Sequence, residues 1–458
     1  MSSATATTTT GFSEAAFAAF LKTRDEPGWL VERRRQAFDL FRSLPWPTPR
    51  DEEWRRTDVR LLKLDTFGPP SATEAATAED RAAVAPAWEA LGAHYATGIE
   101  QVNAAVTRTA DPARLGGAVF LDLAAAVRDR PDLVEKYLLT DAVRPDVDAL
   151  SALHAAFWTG GTLLYVPGGV KVEAPLFSLV GLAGKGRVDL DHTLVIIEEG
   201  AEAALVRETA SKGRDDSPAL HCGAVELFVG DAARLRFVNV QNWDAHTWHF
   251  SRERALVGRD ARLQWTVGGL GARLAKVNQE VALAGRGASA QVNGVMFTTG
   301  RQHLAYFTRQ DHMAPDTRSD LLYKAGLKDA SRVVWKGMIR VEKDAQKTDA
   351  YQKNDNLILS DTARADSIPG LEIEANDVRC THGATAGQVD AEMVFYAQAR
   401  GIDRETAVRL IVEGFFANVY DRISLVPVRE TLRQAVADKL ELGGPALATA
   451  DEDDGAEA

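Results

Sequence analysis

Val225-Glu226-Leu227-Phe228-Val229 runs into the corner Gly230-Asp231 and, past it, into Ala233 and a second β-rich run. This phrase decides the fold because it recurs. Thr193-Leu194-Val195-Ile196-Ile197 precedes Glu198-Glu199-Gly200 and Ala201, Ala255-Leu256-Val257 precedes Gly258-Arg259 and Ala261, and a fourth corner carries Ala288. Thr162-Leu163-Leu164-Tyr165-Val166 before Pro167-Gly168-Gly169 has the same strand-then-corner form. The alanines stand 32, 28 and 27 residues apart, and similar phrases return at Ala345 and Ala363. A strand–corner–alanine–strand unit with a period of roughly thirty residues is the mark of stacked coils, not of a doubly wound α/β fold. One coil cannot bury its own apolar face, so coils stack and share a core. Glycine allows the bend, and alanine fits a tight inner corner. An ordinary β-sandwich, which also has many short strands, is the competing architecture.

Helical periodicity frames this core. Phe17, Phe20, Leu21, Leu30, Phe38, Leu40 and Phe41 recur at helical spacing until Pro45 and Pro47 break the pattern. Weaker helical signals follow at Asp80–Leu91, Leu133–Leu139 and Leu150–Phe157. Beyond the coils, Asp390 caps a helix through Arg400 that Gly401 ends. Asp403 starts a second, with Ala407, Leu410, Ile411, Gly414, Phe415 and Val419 as its apolar stripe, and a third runs from about Pro427 to Leu440. The expected organisation is a disordered start (1–11), a helical N-terminal domain (12–155), a β core (156–389), a C-terminal helical domain (390–442) and an acidic disordered tail (443–458). A coil stack needs caps, because its ends expose strand edges and apolar core. The C-terminal helices, with Phe395, Tyr396, Leu410, Ile411, Phe415, Phe416 and Tyr420, are expected to pack there. Surplus apolar residues among them would form a groove for a partner.

Composition bounds the function. The chain has 458 residues, 45% hydrophobic and 26% charged, as in ordinary soluble proteins. A net charge of −12 argues against a general nucleic-acid or anionic-membrane surface. No apolar run is long enough to span a bilayer. Residues 1–11 lack the basic segment and apolar core of a secretory signal or anchor. With two cysteines in the whole chain, the expected compartment is the reducing cytoplasm.

One of those cysteines lies in Asp377-Val378-Arg379-Cys380-Thr381-His382-Gly383-Ala384-Thr385. In a strand, residues i and i+2 share a face, so Cys380 and His382 present a sulfur and a nitrogen together. These ligand types suit iron–sulfur species, copper or zinc. Two ligands do not close a site, so a second chain or a transient ligand must supply the rest. The alternative for Cys380 is a small buried hydrophobe, and for His382 a core histidine bonded to a carbonyl. Asp244-Ala245-His246-Thr247-Trp248-His249 is a weaker metal candidate, since an offset of three puts its histidines on opposite strand faces. His221-Cys222 is weaker still. No Gly-Lys-Ser/Thr triplet follows a glycine run, so any ATP belongs to a partner. Glu198-Glu199 and Glu372/Glu374 read as solvated charges, not as a glycosidase pair.

Several phrases carry a resemblance. Asp349-Ala350-Tyr351-Gln352, Asn356-Leu357-Ile358-Leu359-Ser360-Asp361, Leu371 to Val378 and the Cys380–Thr385 phrase resemble the C-terminal core of the SufB/SufD family of iron–sulfur cluster assembly proteins. Asp51-Glu52-Glu53-Trp54-Arg55-Arg56-Thr57-Asp58 is similar to the start of its SufD branch. The likeness covers about Glu26 to Val428, weakest over 70–150. It implies a mainly β fold, a right-handed parallel β-helix with helical N- and C-terminal parts. It also implies a non-enzymatic scaffold subunit that pairs with a SufB-like protein and recruits a SufC-like ATPase. On this likeness Cys380 and His382 lie at the junction of the two β-helices and take a transient iron–sulfur cluster there, none being stably bound. The ATPase would dock on the C-terminal helices, where Phe395, Tyr396, Leu410, Ile411, Phe415 and Phe416 are candidates. The SufB-like scaffold thiol would fall near Lys353-Asn354-Asp355, which has no cysteine, and this favours the SufD branch. The rival readings are a homodimeric cluster-binding scaffold, plausible when the paralogue is missing, and a β-helix enzyme acting on acidic polysaccharide.

Overall fold

The computed structural model describes residues 11–70, 76–95, 97–184, 186–213 and 217–441. The expectations for 1–10 and for the acidic tail fall outside these residues. Two long parallel sheets, facing each other, make a β-solenoid of about 8 turns over residues 160–388. The first sheet runs Leu176–Gly184, Glu202–Gly213, Arg234–Asn242, Arg262–Gly269, Ser289–Thr298, Arg318–Leu327, Asp349–Ile358 and Arg379–Gln388. The second runs Gly160–Val166, Asp191–Ile197, Ala219–Val229, Thr247–Val257, Leu274–Leu283, His303–His312, Arg332–Val341 and Arg364–Ile373. The chain alternates between them, so each coil pairs with the coil before it and the coil after it.

The corners explain the alanines. Gly200, Ala232, Asp260, Gly287, Asp316 and Lys347 have φ of 67°, 55°, 54°, 73°, 60° and 64°. Each donates its N–H to a carbonyl one coil further on, from Gly200→Asp231 to Lys347→Asp377. A left-handed residue costs roughly 1 kcal/mol when it is not glycine, and the corner ladder holds it there. The next residue in each corner, Ala201, Ala233, Ala261, Ala288, Thr317 or Thr348, turns inward and is fully buried. Ala345 and Ala363 do not continue this column. Ala345 lies three residues before Thr348, whose hydroxyl donates to its carbonyl. Ala363 is at the opposite corner, beside Ser331. Two corners with the same turn chemistry look alike in sequence.

Inward residues fill the lumen. Leu205, Phe237, Trp265, Val292 and Leu321 form one column, in register, all buried. The outer faces are covered differently. The N-terminal helices Glu14–Lys22, Gly28–Ser43 and Ala149–Phe157 pack their Phe17, Phe20, Leu30, Phe38, Leu153 and Phe157 with Leu163, Leu194, Ile196 and Phe250 of the second sheet. The C-terminal helices Arg404–Tyr420 and Val426–Glu441 lie on the first sheet, over Val238, Val240, Val295, Phe297 and Leu322. They cover a face and not the end of the stack, because that face carries an apolar patch wide enough for two helices. The buried stripe of the first of them is Val408, Val412, Phe416 and Tyr420, with Ala407 and Val419. Leu410 is 49% exposed, so the face read from the sequence is rotated.

The start of the solenoid is closed. Gly98–Val102 pairs with Leu176–Gly184 and carries Ala105–Arg108 antiparallel to it, while Val119–Asp122 pairs antiparallel with Gly160–Val166. These short strands are absent from the helical expectation for 12–155. Ile99, Leu115 and Phe120 plug the lumen, and Gln101 Nε2 ties the two sheets through Asp122 Oδ1 (2.6 Å) and the Gly161 carbonyl (2.8 Å). No helix among the described residues is long and apolar enough to cross a membrane.

Candidate functional site

The other end of the solenoid is where the Cys-x-His phrase lies. Among the described residues, Arg364–Ile373 and Arg379–Gln388 are the last strands of their sheets, each bonded to one neighbouring strand. Each therefore presents a free backbone edge. Register fixes which way the side chains point, since in-register residues of parallel strands share a face. Cys380 is level with Ala350 and His382 with Gln352. Ala350 and Gln352 are buried in the lumen. Cys380 and His382 thus hold inward positions in the last coil of the described residues. Cys380 is half-buried against the cluster of Ile339, Val341, Ala345 and Ala350, and His382 is exposed.

The floor beneath them is polar and fixed. Gln352 Nε2 donates to the Gly370 carbonyl (3.0 Å). Asn356 Nδ2 donates to Asn354 Oδ1 (2.8 Å), Ser367 Oγ (2.9 Å) and the Thr385 carbonyl (3.0 Å). Gln352 Oε1 and Asn356 Oδ1 are buried without a partner. On the facing strand, Leu371 and Ile373 are 38% and 41% exposed. In register with buried Ile339 and Val341, they continue the lumen columns into the open.

Partial burial, with the Asp349 carboxylate nearby, holds the Cys380 thiol above its ordinary value. In the lone chain it is a thiol at neutral pH, a poor nucleophile and ligand. A cation brought beside it would reverse that by favouring the thiolate. No group of three or more His, Cys, Asp or Glu side chains among the described residues is placed to hold a metal ion. The pair by itself supplies two potential ligand atoms. Lys353, Asn354 and Asp355 lie one coil below, with the Lys353 ammonium 3.0 Å from Asp355.

The C-terminal candidates divide into two groups. Phe395, Tyr396 and Leu410 are 72%, 62% and 49% exposed, as is Met393 at 58%. Phe416 is fully buried, its ring near Phe297 and Tyr420. Phe415 and Ile411 are partly buried at the rim. The fold consumes Phe416 and leaves the first group free.

Sequence reasoning missed a buried polar network in the body of the solenoid. Asp191 accepts from Arg207 (2.7 and 2.8 Å) and from His221 Nε2 (2.6 Å), and His221 Nδ1 meets His249 Nδ1 at 2.8 Å. A second branch runs Glu226–His192 (2.9 Å), His192–His154 (3.0 Å) and His154 to the Cys222 carbonyl (2.8 Å). Glu226 also accepts the N–H groups of Leu139 and Val143. Burial drives His154 down to about 3 and His249 well below its ordinary value. Burial alone would raise Asp191, but Arg207 and His221 hold its carboxyl well below the usual range. The network ties the N-terminal part to the second sheet. Its signal in the sequence was the coil period itself, because His221 and His249 are 28 residues apart. His246 is not part of it. Its N–H bonds Asp244 in a turn, and no group of three metal-ligating side chains forms there among the described residues.

Comparison with known proteins adds two family models. The SufBD core domain of the SUF system for FeS cluster assembly matches residues 180–415, and the SufBD N-terminal region matches 18–177. The chain is 29% identical to the iron–sulfur cluster assembly protein SufD of Bacillus subtilis, over 92% of this chain and 97% of that protein. It is 33% identical to an iron–sulfur cluster assembly SufBD family protein of Mycobacterium tuberculosis, over 86% and 90%. A SufBD family protein of Staphylococcus epidermidis is 27% identical over 88% of both.

Proposed function

The chain belongs to the SufBD family of iron–sulfur cluster assembly proteins, and on that premise we propose that it is the SufD-like half of a cytoplasmic scaffold completed by a SufB-like paralogue and a SufC-like ATPase. The observation that carries this reading is the placement of Cys380 and His382 at inward positions of an uncovered terminal coil. A paralogue of the same fold ends in a matching edge. The two open ends can join by backbone hydrogen bonds and bury Leu371 and Ile373. The junction then encloses one sulfur and one imidazole from this side, and the partner adds its own ligands. The cluster is cargo, built at the seam and passed on. The neutral thiol in the lone chain keeps the half-site quiet until iron arrives. ATP binds on the ATPase, which grips the exposed Met393, Phe395, Tyr396 and Leu410. The chain itself acts as a scaffold and not as an enzyme. If the paralogue is missing, the same edge geometry favours a homodimer.

The test is co-expression with a SufB-like and a SufC-like protein, comparing wild type with the Cys380→Ser/His382→Ala double variant. The complex should still form, and cluster transfer to an apo-acceptor should fall by roughly tenfold or more, as when metal-site ligands or their supports are lost. Unchanged transfer, or a chain that captures neither partner, removes the proposal.

A further inference from the structure

The sheet that carries Cys380 has its outer face covered from two directions. Helix Ala78–Ala90 lies over one part, and helices Arg404–Tyr420 and Val426–Glu441 over another. A cleft of about 990 Å³ remains between them, the size of a small-ligand site. Ala83, Val84 and Ala87 form one wall, and Val412 and Tyr420 stand on the other. Glu208 is on the floor, on strand Glu202–Gly213, between Leu179 and Val240 of the neighbouring strands.

Glu208 is anomalous there. It is 3% exposed, among apolar neighbours. Asn242 bonds its carboxyl, yet Oε2 has no partner. A buried polar atom left unpaired costs roughly 1–3 kcal/mol. Burial lifts this carboxyl to about 8, so at neutral pH it is mostly protonated. Other charges face the cleft: Lys212 and Asp244 from the strand ends, Arg409 and Glu413 from one C-terminal helix, Glu430, Arg433 and Asp438 from the other, while helix Ala78–Ala90 lines it with apolar residues alone. Arg433 is engaged by Glu413 and Glu430 and lies over the Tyr420 ring. The Tyr95 hydroxyl, close enough to feel the Glu208 charge, is itself unpartnered.

We propose that this cleft binds an organic cation, an ammonium or guanidinium head on an apolar stem, with Glu208 as its counter-charge. The stem lies along Ala83, Val84 and Ala87, and the head meets the orphaned oxygen. Binding requires the carboxylate, so the ligand displaces the proton of Glu208. The head can be carried by a free amine or by a lysine or arginine side chain of another protein. This inference is independent of the terminal coil and of what assembles there.

Calorimetry on the full chain tests it with pentylguanidinium, with a blocked Ala-Ala-Arg-Ala-Ala peptide, and with 1-pentanol as the neutral control. At least one cationic probe should bind saturably, and pentanol should not. At pH 7, repetition in buffers of different ionisation enthalpy should show release of nearly one proton per ligand. Affinity should tighten about tenfold per pH unit up to about pH 8 and then level off. Glu208→Gln, which keeps the shape of the neutral acid, should weaken binding at least tenfold. Ala87→Trp, filling the cleft from the opposite wall, should do the same. Tighter binding of the peptide assigns the site to a protein side chain, and tighter binding of pentylguanidinium assigns it to a free amine. Absence of saturable binding by both cations, equal binding by Glu208→Gln, or binding without proton release overturns the proposal.

Discussion

The two ends of the solenoid are built from the same kind of coil and finished in opposite ways. At the start, short antiparallel strands stop the ladder, Ile99, Leu115 and Phe120 plug the lumen, and Gln101 ties the sheets together. At the finish no further strand among the described residues pairs with Arg364–Ile373 or Arg379–Gln388, and the lumen opens through Cys380, His382, Leu371 and Ile373. An uncovered strand edge invites association, and natural folds usually blunt it. This one has two helices to spare, and they lie on a side face. The contrast, more than any single residue, supports the proposed place of the partner surface.

Substitutions at inward-facing positions give the largest expected difference. Trp265→Ala, in mid-stack, should cost about 3–5 kcal/mol in urea unfolding. Leu371→Ala with Ile373→Ala, at the open end, should cost no more than about 1 kcal/mol together in the lone chain while weakening association with a second solenoid. Comparable losses at both places would mean that the last coil is already packed in the monomer.

The closed side should also respond to acid. His154 is neutral in the folded chain down to about pH 3, whereas an unfolded histidine takes a proton near 6.5. Its contribution is complete above about 6.5 and is lost as the pH falls toward 3, by up to about 1.4 kcal/mol per unit. His154→Gln should lower stability at pH 7 and flatten that acid slope, read from unfolding curves at stepped pH. An unchanged slope would show that this histidine is already protonated in the native state.

The smallest effect concerns the two thiols. Burial in an apolar layer pushes the fully buried Cys222 thiol far up, while Cys380, also raised, is only half-buried. In the native chain iodoacetamide should label Cys380 slowly, faster as the pH rises, and leave Cys222 untouched until unfolding. Labelling of Cys222 at native pH would mean that the N-terminal helices open readily.

The coil period was legible because each corner repeats a steric demand, one left-handed residue and one small inward residue. Ala201, Ala233, Ala261 and Ala288 record it directly. Cys380 and His382 were legible because a spacing of two means one face of a strand. The seat of the C-terminal helices was not, because Val238, Val240 and Leu322 look like any strand residues until the register shows that they point outward together. Helix Arg404–Tyr420 is apolar on more than one side, so Leu410 and Val412 could not be ranked from the sequence. The histidine network was hidden for a different reason: its members are neighbours across coils, and local spacing does not see a neighbour about thirty positions away.

Because every coil leans only on those beside it, the stack can be laid down in the order in which the chain leaves the ribosome. Arg379–Gln388 is the final course of that masonry. A nascent chain cannot present this last edge until the coils beneath it are set. A product cut short before Arg379 ends on another coil, and its exposed edge carries neither Cys380 nor His382.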